Sequence, residues 1–114
     1  MPRVSYEHKV ALLSRALRNL FGMNQGELAR LAGASRPTIA RLETLSGERV
    51  TRLDTLERIV DVFRAQGVEV RFEGEEVVVR LPEATMSEAA EIVHGERQPS
   101  SVLDSNSPDR GGGV

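Results

Sequence analysis

Arg36, Pro37, Ala40 and Arg41 stand within one short stretch, RPTIAR, at spacings that place them on one stripe of a helix. An arginine fork can donate to guanine O6 and N7 together, and a small apolar residue fits against a thymine methyl. Small residues between long cations allow such a stripe to approach base edges closely. The stripe continues to Thr44. Its opposite side carries Ile39 and Leu42, three apart, which must face a core shared with Leu28, Leu31 and a preceding helix. Two arginines on a helix are by themselves an ordinary solvated face, so their setting decides the matter.

Other chemistries find little support in the residue types. The chain has no cysteine, which excludes disulfides, thiolate metal sites and a thiol nucleophile. Its only histidines, His8 and His94, have no carboxylate at metalloprotease spacing and read as solvent-exposed. No G-x-S-x-G elbow occurs. Gly111–Gly113 reads as tail composition rather than a phosphate loop, and Glu73, Glu75 and Glu76 read as solvated charge at a turn. No enzyme, metal or cofactor is expected.

The elements that must position the stripe follow from caps and periods. Residues 5–22 read as a helix with Val10, Leu13, Leu17 and Leu20 or Phe21 on one face and Lys9, Arg15, Arg18 and Asn19 on others. Asn24 caps a second, short helix, with Glu27 completing a capping-box spacing, and Gly33 closes it. Ser35 then caps a third helix running to about Leu45, the expected reading helix 35–45. Pro37 fits its first turn, where a missing N–H has no intrahelical partner to lose. Thr44 to Arg52 is a polar loop. A fourth helix carries Leu53, Leu56, Ile59 or Val60 and Phe63 on one face and ends at Gly67.

Beyond Gly67 the period changes to two. A two-residue turn at Gly74-Glu75 pairs Phe72 with Val77, Val70 with Val79 and Val68 with Leu81 on one face, and sets Glu69 across from Arg80 on the other. Glycine at the first turn position suits a type II′ hairpin. Thr85 to about His94 reads as a short helix with Thr85 and Glu88 at capping-box spacing. From Glu96 onward little can be buried, so a disordered tail is expected.

The net charge of −2 hides a division along the chain: residues 1–66 sum to +4 and residues 67–114 to −6. A basic front and an acidic rear suggest two roles. No apolar run approaches the roughly 20 residues of a membrane span, and the first nine residues lack the apolar stretch of a secretory signal. A cytoplasmic location and no membrane contact are expected.

Met23 to Glu43 resembles the helix-turn-helix of the phage repressor and Cro (Xre) family, on Gln25, Glu27-Leu28-Ala29, Gly33, Ser35, Ile39 and Glu43. That resemblance implies a mainly α, lambda-repressor-like domain of four to five helices, here followed by a β-hairpin and the tail. The resemblance covers about residues 6–67 as a fold, and with the hairpin and tail read above the chain divides into a DNA-binding domain at 1–67, a hairpin-and-helix extension at 68–95 for dimerisation or partner binding, and a tail at 96–114. The resemblance implies a double-stranded DNA partner and a transcription regulator, with repression the expected role. Arg36, Pro37, Ala40 and Arg41 would contact bases. Asn24, Gln25, Ser35, Thr38, Arg49, Thr51 and Arg52 would hold phosphates. A homodimer is expected, with Val68, Val70, Phe72, Val77, Val78, Val79 and Leu81 as the dimerisation set. The alternative is an antitoxin, whose acidic C-terminal region would bind a toxin while its front half autoregulates the operon.

Overall fold

Ser5, itself in extended backbone, accepts a hydrogen bond from the His8 N–H at 3.1 Å and caps helix α1, Tyr6–Leu20. The computed structural model describes residues 4–44 and 51–93. Val10, Ala11 and Leu17 of α1, with Phe21 just beyond it, are buried at helical spacing. Leu13 and Leu20 of the expected face are only half-buried.

Helix α2, Gln25–Ala32, begins with a reciprocal cap. Asn24 Oδ1 accepts from the Glu27 N–H at 2.8 Å, and the Glu27 carboxylate accepts from the Asn24 N–H at 2.9 Å. The helix ends at Gly33, whose φ of +67° is the left-handed exit that favours glycine. Helix α3, Arg36–Thr44, follows directly, with the Ser35 hydroxyl accepting from the Thr38 N–H at 3.2 Å. Leu31, expected in the core, is 46% exposed, and the smaller Ala29 and Ala32 are buried in its place. Those alanines let α2 lie close to its neighbours, while Leu31 falls outside the contact.

Helix α4, Leu53–Ala65, buries Leu56, Ile59, Val60, Val62 and Phe63. Leu53, also expected inside, is 60% exposed because it sits at the very first position, before the helix reaches the core. Strands β1, Glu69–Glu73, and β2, Glu76–Arg80, pair antiparallel with Val70 opposite Val79, Phe72 opposite Val77 and Glu69 opposite Arg80. This is the register that alternation and the two-residue turn imply. Gly74 has the positive φ, +60°, that the turn requires.

The hairpin lies on α4. Val68 and Val70 join the same buried cluster as the helices, Arg64 Nη2 donates to the Val70 carbonyl at 2.7 Å, and Tyr6 meets Phe72 edge-to-face with ring centroids 4.9 Å apart. Of the remaining dimerisation set, Phe72, Val77, Val78 and Leu81 are half-buried and Val79 is exposed.

Helix α5, Glu83–Val93, starts two residues earlier than expected. The Met86 N–H is satisfied by the Pro82 carbonyl, so Thr85 is not the cap. Its buried hydroxyl instead donates to the Gly67 carbonyl at 3.0 Å, docking α5 on the turn between α4 and β1. Ala89 joins the core, and Ile92 lies against Gly22 at the end of α1. Of the loop expected from Thr44 to Arg52, Thr44 is the last residue of α3 and residues 45–50, Arg49 among them, lie outside the described residues, as do His94 and the expected tail from residue 96. No helix among the described residues is long and apolar enough to cross a membrane.

Candidate nucleic-acid interface

Burial of Ile39 and Leu42 dictates which side of α3 meets solvent. Arg36, Pro37, Arg41 and Thr44 are exposed, and Ala40 and Thr38 are half-buried beside them. Neither Arg36 nor Arg41 makes an ion pair with another described residue, and each guanidinium carries five N–H donors in a planar fork.

The start of α2 converges on this stripe. A Cβ on Gly26 would stand 3.9 Å from Arg36 Cδ and 3.3 Å from Asn24 Oδ1, so absence of a side chain there keeps the helix mouth open next to Arg36. The cap occupies Asn24 Oδ1 but leaves its amide nitrogen as a donor. At positions 25 and 26 the backbone N–H groups precede the first intrahelical bonds, a geometry suited to a phosphate oxygen.

Other expected phosphate contacts are differently placed. The Ser35 hydroxyl and Thr38 hydroxyl hydrogen-bond each other at 2.8 Å. Half-buried Thr51 is tied by its N–H to Glu7 at 2.9 Å, at the start of α1. Arg52 precedes α4 and pairs at 3.1 Å with Asp54; both are exposed, which leaves the pair weak and exchangeable. Arg49 lies outside the described residues.

Behind the stripe sits a buried polar hub that the sequence reading missed. Glu43, only 5% exposed, is gripped at both carboxylate oxygens. Arg18 donates to Oε1 at 2.8 Å and to Oε2 at 3.1 Å, Ser14 donates to Oε2 at 2.5 Å, and Gln25 Nε2 donates to Oε1 at 3.2 Å. A third Arg18 bond, 3.0 Å to the Met23 carbonyl, fixes the turn into α2. One carboxylate thus joins α1, the start of α2 and the end of α3. Burial alone pushes its proton affinity up. The hydrogen bonds from Arg18, Ser14 and Gln25 outweigh this and hold Glu43 below the ordinary glutamate range. Gln25 is therefore engaged inward, with one amide hydrogen left for another acceptor. Arg18, placed by periodicity on an outer face, in fact points in. The available signal was Ser14 and Arg18 four apart on one helix face. From α4, Arg58 Nε donates to the Ala32 carbonyl at 2.7 Å and pins the other end of α2.

A family model described as a helix-turn-helix domain matches residues 12–72, just over half of the chain. The chain belongs to the helix-turn-helix domain family. No curated protein and no solved structure matches it. In helix-turn-helix terms α2 and α3 are the two helices of the motif, with Gly33 at the turn between them. The family makes this a DNA-binding regulator.

Proposed function

We propose that the protein is a sequence-specific regulator of transcription that lays α3 in the major groove of duplex DNA and acts as a repressor by occupying its operator. The observation that carries this reading is the pair of exposed arginines on α3, neither of them ion-paired to another described residue, backed by the Glu43 hub that fixes the helix from behind. Arg36 and Arg41 read guanines, and Pro37 and Ala40 lie against bases between them. Asn24, the mouth of α2, Ser35, Thr38 and Arg52 set register on the phosphates, with Gln25 dividing its amide between Glu43 and the backbone. One such helix covers few base pairs, so the working unit is a pair of copies on two half-sites.

Selection from a random duplex pool tests this reading. The protein is expected to enrich one sequence with two related half-sites about 34 Å apart, one helical turn. Binding that enriches no sequence and responds only to salt concentration would reduce α3 to a phosphate contact.

A further inference from the structure

Strand β2 forms one side of a two-stranded sheet, and its far edge meets no other strand among the described residues. The register fixes what that edge offers. Glu73 and Glu76 flank the turn, so the Glu73 carbonyl accepts from the Glu76 N–H, and hydrogen-bonded pairs alternate from there. Glu76, Val78 and Arg80 thus direct their backbone groups toward β1. Val77 and Val79 direct theirs outward.

We propose that this edge receives β2 of a second copy of the chain, antiparallel about a two-fold axis at Val78. In that register Val77 exchanges hydrogen bonds with the partner's Val79, and Glu76 faces the partner's Arg80. The inference deepens the reading of a protein that works in pairs on DNA, by naming the surface that makes the pair.

Three properties of β2 select this register. It is the one that uses the outward groups of both Val77 and Val79 from each copy within the bounds of the strand. A pairing centred on Val77 or Val79 sets a charged residue against Val78 and leaves outward groups of the strand unmatched. Charge agrees with the count. Within one copy Glu76 lies directly opposite Glu73, an unfavourable like-charged pair. Arg80 is held only loosely, 3.9 Å from an exposed Glu69. The partner's Arg80 supplies the opposite charge that Glu76 lacks, twice per dimer by symmetry. Apolar surface agrees as well. Val79 is 37% exposed in one copy, and the pairing extends the row of Phe72 and Val77 through the partner's Val79 to the partner's Val70. Nor does β2 carry the lysine or proline that commonly blunts a free edge.

Because the chain has no cysteine, a single introduced thiol reports its own position. Val78 would face its counterpart as a non-hydrogen-bonded pair, with Cα atoms about 4.5 Å apart, inside disulfide range. Full-length Val78→Cys is expected to form a covalent dimer on mild oxidation without DNA, and Val77→Cys and Val79→Cys are expected to lag well behind. Sedimentation across a concentration series gives the second reading. Glu76→Arg and Arg80→Glu should each weaken dimerisation about tenfold, and the double swap should restore it. Faster crosslinking at position 77 or 79, a double swap no better than the single changes, or a chain monomeric at every concentration would overturn the proposal. A chain that pairs in this register but selects no duplex keeps the interface and loses the DNA reading; a monomer that selects a duplex does the reverse.

Discussion

Glu43→Ala is expected to lower the stability of the fold by about 3–5 kcal/mol, the range for removing one partner of a buried ion pair. The carboxylate is 4% exposed and its partner Arg18 is 16% exposed, so water can do little to replace it. Alanine leaves a guanidinium and the buried Ser14 hydroxyl without their acceptor. For a domain of this size the melting temperature should fall on the order of 10–20 °C, measured by thermal unfolding.

The pH dependence has a definite sign. The folded state holds the Glu43 proton affinity below its unfolded value. Its contribution is fully present above the ordinary glutamate value of about 4.3 and is lost as pH falls through the lower, folded value. Glu43→Gln should remove that part of the acid-side slope. Replacing Ser14, Arg18 and Glu43 together by Ala, Met and Met should recover much of the stability, since an apolar set can match a buried ion pair. DNA affinity should not recover equally, because the hub also joins α3 to α1 and α2. Equal recovery of both would limit the hub to stability.

Gly67→Ala carries the next largest expected effect, a loss of about 3 kcal/mol. The residue has φ +98°, and an added Cβ would collide with Thr85 Oγ1, which donates to the Gly67 carbonyl. Backbone strain and collision can be separated. Gly74→Ala, also at positive φ but with open space around it, should lose only about 1–2 kcal/mol. Adding Thr85→Ala to Gly67→Ala should be less damaging than the two changes summed, since the collision is removed. Additive losses in chemical denaturation would mean that α5 is not docked through this contact.

Elements with a strong local code are legible in the sequence alone. Alternation from Val68 to Leu81 around a two-residue glycine turn admits one register that puts every valine of one set on one face, and the strands pair that way. The Asn24–Glu27 cap is equally local. Leu31, Leu53 and Thr85 were misplaced because their neighbours decide them. A helix as short as α2 can bury through alanines, a first-position leucine overshoots the core, and a threonine hydroxyl is drawn to a carbonyl 18 residues away. Glu43 and Arg18 were missed as a pair because apolar periodicity assigns charged residues outward. Only the fold brings two of opposite sign together inside it. The exposure of the α3 stripe was readable from Ile39 and Leu42, and the fixing of that helix by the hub was not.

The role of α3 is tested most directly by comparing complete base-preference profiles for Arg36→Ala, Arg41→Ala and Arg52→Ala, each measured with a salt series on the selected operator. If α3 reads bases, each of the first two should lose about 1–3 kcal/mol and relax preference at one position per half-site. Arg52→Ala should keep its profile, weaken binding to all sequences alike and flatten the salt slope by about one unit. Profiles that stay unchanged in all three variants, with uniform loss of affinity, would contradict base reading by α3.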